Sequence, residues 1–195
     1  MANSGFYKSR AVALVASVSL VWAISIYGFT NLGLVYQLAL VPRRIDGLLG
    51  VITMPFVHES LSHLMVNTVP LTIMAGLLLL RGVTYYCIVS IAIILAGGLA
   101  VWLVGRAGLH VGASGLVFGY FGFLLVRGVY DRQASSVVIA LLVVFLYGGL
   151  FWSVVPSGTG VSWESHLSGL LVGGLIARVA GSSRIGGSIA PGAPD

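Results

Sequence analysis

The chain has 195 residues, of which 58% are hydrophobic and only 8% charged. A soluble domain carries about a quarter charged residues, so this composition excludes an ordinary water-soluble fold and leaves most of the length for membrane spans. The formal net charge of +5 comes from basic residues scattered singly or in pairs between apolar runs, which makes no stripe for nucleic acid.

Residues 1–10 are polar and basic, and an apolar run follows from Ala11 to Leu40. That run is too long for the apolar region of a signal peptide, and more apolar runs follow it, so it reads as a retained first helix. A bilayer core needs about 20 apolar residues per helix. The chain offers candidate spans at roughly 11–33, 60–80, 83–104, 112–129, 134–154 and 164–181. The expected fold is therefore an all-α integral membrane protein with six transmembrane helices. Its expected organisation is a cytoplasmic segment 1–10, a membrane domain 11–181 and a disordered cytoplasmic tail 182–195 rich in Gly, Ser, Ala and Pro.

The connection 34–58 is long and apolar, with Leu48, Leu49, Val51, Ile52, Met54, Phe56 and Val57. It is expected to lie in the membrane interface or dip into it. Arg81-Gly82 alone separates spans two and three, which predicts a tight hairpin. The single cysteine, Cys87, excludes an internal disulfide and reads as a packing residue.

The ten basic residues set an orientation. With the N-terminus inside, Lys8, Arg10, Arg81, Arg127, Arg132, Arg178 and Arg184 fall on the inner side; Arg43, Arg44 and Arg106 fall outside. Seven against three obeys the positive-inside rule. A plasma-membrane protein with both termini cytoplasmic is expected. This topology brings His63, Ser114 and His166 to the outer ends of their helices.

Polar groups at membrane depth are costly and are functional candidates by default. Ser114 lies in Gly112-Ala113-Ser114-Gly115 at the start of span four. A helix N-terminus offers free N–H groups and a positive dipole end, both suited to a developing oxyanion. The plainer reading is a serine N-cap followed by a small-residue packing motif. His166 heads span six, and Gly169, Gly173 and Ala177 follow on its approximate face. That small-residue face could press on Gly115 and Gly119 of span four and bring imidazole to hydroxyl. His63 and Asn67 share one face of span two as possible oxyanion donors, or as interhelical hydrogen-bonding groups.

His58-Glu59-x-x-x-His63 has the wrong spacing for a zinc helix, which needs histidines at i and i+4. His110 and Cys87 stand apart from it in sequence. Neither a metal nor a cofactor is expected. Glu164 is two residues from His166, pointing away from it, and reads as an exposed first-turn carboxylate. A serine–histidine dyad is expected rather than a triad.

Taken together, these motifs resemble the rhomboid intramembrane serine proteases in their basic six-helix bacterial form. The match covers roughly 45–180: His58-x4-His63-x3-Asn67, Gly112-Ala113-Ser114-Gly115 and His166-x2-Gly169-x3-Gly173, in this order. The resemblance implies Ser114 as nucleophile and His166 as general base. It implies His63, Asn67 and the Ser114 N–H as oxyanion donors, and the 34–58 connection as a membrane-embedded hairpin. Gly112, Gly115 and Gly169 would support this site. It further implies single-span membrane proteins as substrates, cut near the outer membrane face after a small residue. Two positions depart from the family. Leu49-Gly50 stands where a Trp-Arg pair is common in the hairpin, and Phe118 stands where a Tyr is frequent one turn after the serine. The competing functions are a catalytically inactive rhomboid-like protein that binds transmembrane segments, and a small transporter. A transporter would place polar groups at the midplane, often within inverted repeats.

Overall fold

The computed structural model describes residues 2–131, 133–156 and 162–182. In lipid a backbone must satisfy its own hydrogen bonds, so apolar runs of this length fold as helices. In chain order the α-helices are α1 (Ala2–Thr30), α2 (Leu32–Leu38), α3 (Gly50–Thr53), α4 (Leu61–Leu79), α5 (Val83–Val104), α6 (Ser114–Tyr130), α7 (Ala134–Tyr147) and α8 (Trp163–Ser182). The six longer ones occupy the six expected spans, while α2 and α3 lie in the connection after the first. By length and composition, α1 from Tyr7, α4 and α5 can each cross a membrane. The protein is an all-α membrane protein.

Residues 2–10 are helical and continuous with the rest of α1. The tail expected at 182–195 lies outside the described residues from 183 onward.

α6 is the central helix, packed by α4, α5, α7 and α8. Every residue from 115 to 124 is buried. A helix covered on all sides needs small residues wherever a neighbour comes close. Gly119 faces Ile93 of α5, and Gly122 faces the Leu170 carbonyl of α8, each too closely for a Cβ.

The 34–58 connection splits into two faces. Val51, Met54 and Val57 are buried, whereas Ile45, Leu48, Leu49 and Ile52 form an exposed apolar edge suited to lipid. Its anchoring explains the departure at Leu49-Gly50. Gly50 lies against the backbone of Ala39 and Leu40, where no side chain fits. An arginine from elsewhere supplies the tie: Arg43 Nη1 donates to the Gly105 carbonyl (2.7 Å) at the end of α5. Trp102 Nε1 on α5 donates to the Arg44 carbonyl (2.8 Å).

At the end of the bundle opposite Ser114, Asp131 accepts from Arg81, Arg127 and Ser136. Arg81 also donates to Ser136 Oγ (2.9 Å). This cluster joins the α4–α5 turn to the α6–α7 turn. The Asp131 side chain is 7% exposed, so removing it strands the mostly buried Arg127 guanidinium and takes one partner from Arg81. Asp131→Ala should therefore cost about 3 kcal/mol of stability, read as a lower midpoint in thermal or denaturant unfolding of the purified protein. A midpoint equal to wild type would show the cluster to be incidental.

Candidate active site

The segment 105–113 delivers Ser114 to the start of α6. It is held by backbone bonds in both directions between Leu40 and His110 (3.0 and 2.9 Å) and by Gly112 N–H donating to the Met54 carbonyl (2.9 Å). Gly112 has φ +109, a left-handed conformation that favours glycine. A Cβ there would also lie 2.7 Å from His63 Cε1 and 2.8 Å from His63 Nε2. The imidazole of His63 thus lies against the turn that carries Ser114.

Ala113, not Ser114, is the N-cap residue of α6, and it has no side-chain cap bond. Ser114 is the first residue of the helix, so its hydroxyl does not serve as the N-cap. The plainer reading of the serine as an N-cap is set aside on this geometry.

His166 is buried in the first turn of α8. Its Nδ1 lies 3.0 Å from the Ser153 carbonyl. A carbonyl only accepts, so Nδ1 carries the proton and a neutral ring keeps the Nε2 lone pair. The Phe118 ring, one turn after Ser114, stacks on His166 with centroids 4.4 Å apart and planes 14° apart. Phe118 needs no hydroxyl for this contact.

The small-residue faces of α6 and α8 meet backbone to backbone. A Cβ at Gly169 would enter the space of the Gly115 carbonyl oxygen, and one at Gly173 that of the Gly119 carbonyl. A Cβ on Gly115 would lie 3.6 Å from Ser165 Cβ, beside His166. Among the described residues, however, Ser114 Oγ makes no direct hydrogen bond to His166. Catalytic hydrogen bonds are often long without substrate and tighten when it binds.

The seam gives a testable consequence. Displacing a reacting group by about 1 Å can cost 10²-fold in rate. Gly169→Ala or Gly173→Ala should lower any activity of this site by about that factor, because a methyl must push α8 off α6. Gly76→Ala, with nothing within 4 Å of its added methyl, is the control and should leave activity unchanged. Equal activity in all three variants would dismiss the seam as a determinant.

Asn67 is buried one turn after His63, and its Nδ2 donates to the His63 carbonyl (3.0 Å). One amide hydrogen remains for another acceptor. His63 Nδ1 is buried without a hydrogen bond, 3.8 Å from the Glu59 carboxylate.

The Rhomboid domain family model matches residues 46–183, most of the chain and the whole of this site. The chain belongs to the rhomboid family. Uncharacterized proteins of Mycobacterium bovis and Mycobacterium tuberculosis are each 42% identical to it over 141 residues, 68% of this chain and 59% of theirs. An uncharacterized protein of Mycobacterium leprae is 37% identical over 139 residues, 67% of this chain and 55% of its own. The chain thus spans less than two thirds of the length of these relatives.

Within this rhomboid domain, the roles of several neighbours of the site were not legible from spacing, His58 of the quoted motif among them. Ser153, whose carbonyl fixes the His166 tautomer, sits in the 3₁₀ turn Gly148–Val154 that prolongs α7. His58 is fully buried and bridges two elements. Its Nε2 accepts from Ala113 N–H (3.2 Å), and its Nδ1 lies 2.9 Å from Ser25 Oγ on α1. Ser25 Oγ in turn donates to the Phe56 carbonyl (3.0 Å), so neutral His58 donates from Nδ1 to Ser25. Burial, aided by the nearby His63, pushes the His58 pKa down from 6.5 to about 3, which preserves this neutral form.

Glu164 corrects an expectation. It is not an exposed carboxylate but a buried one, paired with Arg106 Nε at 3.4 Å. The 105–113 segment folds over the start of α8, which removes the water that a first-turn carboxylate would otherwise face.

Proposed function

We propose that this rhomboid domain is an intramembrane serine endopeptidase in which Ser114 is the nucleophile and His166 its general base. One observation carries the reading. The Ser114 hydroxyl is not spent on capping α6, while His166, held by Ser153 and Phe118 on the adjoining helix, keeps Nε2 as an acceptor. In the reaction, His166 Nε2 takes the hydroxyl proton as Ser114 Oγ attacks the scissile carbonyl and returns it to the leaving amine as the C–N bond breaks; a water deprotonated by the same imidazole then hydrolyses the Ser114 ester and restores the hydroxyl. His63, Asn67 and the Ser114 N–H stabilise the oxyanion. The Ser153 carbonyl holds the tautomer as a carboxylate does in a triad, without supplying charge. No metal or cofactor enters this scheme.

The substrates of this reading are single-span proteins of the plasma membrane. The site faces outward and both termini lie in the cytoplasm, in keeping with the excess of basic residues at the opposite end of the bundle. A second reading, an inactive relative that binds transmembrane segments, draws support from the missing Ser114–His166 hydrogen bond. A fluorophosphonate probe separates the two. The protease should be labelled on one residue, identified as Ser114 by mass spectrometry of the modified peptide. Absence of labelling on folded protein would favour the inactive reading.

A further inference from the structure

His110 takes no part in the chemistry proposed above, yet it is 2% exposed and uses both ring nitrogens. Nε2 lies 3.0 Å from the Arg106 carbonyl, an atom that can only accept, so Nε2 carries the proton. In the neutral ring Nδ1 must then accept, and it does so from Ser162 Oγ at 2.6 Å. With its proton committed, Ser162 Oγ accepts from Ser165 Oγ at 2.7 Å. The chain of bonds has one direction: Ser165 to Ser162, Ser162 to His110, His110 to the Arg106 carbonyl.

The two ends of this chain lie on the two elements that the proposed dyad must align. His110 belongs to the segment that ends on Ser114. Ser162 precedes, and Ser165 lies within, the first turn of α8 that carries His166, whose N–H donates to the Ser162 carbonyl (3.3 Å). The Arg106–Glu164 pair ties the same two elements alongside. The glycine seam sets how closely α8 approaches α6, but two smooth glycine faces resist sliding and rotation poorly. A directional polar tie beside the seam supplies that restraint.

We propose that His110 is a positioning residue for His166: it fixes the first turn of α8 on the 105–113 segment and so sets the base relative to Ser114. This assignment rests on the protease reading for its kinetic consequence, but not for its structural one.

The test uses the full chain, purified in detergent. His110→Leu removes both bonds, Ser162→Ala removes the middle of the chain, and His110→Gln keeps one donor and one acceptor. In His110→Leu and Ser162→Ala, kcat on a model transmembrane substrate should fall about tenfold or more, as misplacement of a base predicts. KM should stay near wild type, with thermal unfolding still above the assay temperature. His110→Gln should recover most of the loss. The second readout needs no activity. In a Cys87→Ser background, Gly115→Cys with Ser165→Cys places two Cβ atoms about as far apart as a disulfide requires. Ser165→Cys gives up only the outermost link and leaves the Ser162–His110 bond in place, so oxidation should close this bridge severalfold more slowly when His110→Leu is added.

The proposal is overturned if both variants cleave and cross-link like wild type, or if lost activity only tracks the unfolded fraction. Should His110→Leu fail to fold, Ser162→Ala, which deletes a single hydroxyl, decides alone. Should wild type itself not cleave, the protease reading falls, and the cross-linking rates alone decide the role of His110.

Discussion

Ser114→Ala should yield a folded protein whose cleavage of a transmembrane substrate falls by several orders of magnitude, to the level of the no-enzyme control. The substitution deletes one oxygen. It leaves α6 capped as before, because Ala113 holds the N-cap position and the hydroxyl makes no capping bond. Nor does it disturb the seam, where Gly169 faces the Gly115 carbonyl rather than the serine side chain. Thermal unfolding should therefore be nearly unchanged, and loss of activity reports chemistry rather than folding. Quantitative cleavage in reconstituted liposomes is the deciding measurement. Turnover by Ser114→Ala at the wild-type rate would end the serine-protease reading.

α1, α4 and α5 were legible because each is an apolar run long enough to cross a membrane, while α6 and α7 are shorter apolar runs that length alone does not separate from buried segments. The seam was legible too, since Gly169, Gly173 and Ala177 repeat at the helical spacing, and so do Gly115 and Gly119. What escaped was whatever depends on where a backbone carbonyl ends up. The Ser153 oxygen meets His166 only because α7 tightens into a 3₁₀ turn at Gly148, and no spacing rule announces that. Glu164 and His110 escaped for a related reason. Each looked solitary in sequence, and each is satisfied by the 105–113 segment, which has no regular period to read. Arg43 and Trp102 show the same limit. The sequence indicated that the common Trp-Arg pair was absent from the hairpin, but not that an arginine six positions before Leu49 and a tryptophan on α5 tie the hairpin down.

His166→Ala should be nearly as damaging as loss of the serine, and the contrast with His63→Ala and Asn67→Ala separates base from oxyanion donor. The base is needed whenever Ser114 attacks, whatever the electrophile. Without His166 the hydroxyl keeps its proton, so both peptide cleavage and fluorophosphonate labelling should collapse by several orders of magnitude. The oxyanion donors act on charge that appears only in the tetrahedral state, and each is worth about 10²–10³ in kcat. In the proposed mechanism His63 and Asn67 share that work with the Ser114 N–H, so each single loss should slow cleavage only partly. A fluorophosphonate brings its own strong electrophile, so labelling in His63→Ala and Asn67→Ala should persist. His63→Ala has a further consequence, because its ring fills the space beside Gly112. That variant should therefore lose more stability than Asn67→Ala, and its rate must be compared on folded protein. Labelling and cleavage measured side by side in the three variants give distinct patterns for a base and for donors. Wild-type cleavage in both His63→Ala and Asn67→Ala would make this face of α4 structural. Undiminished labelling in His166→Ala would remove the imidazole from the mechanism.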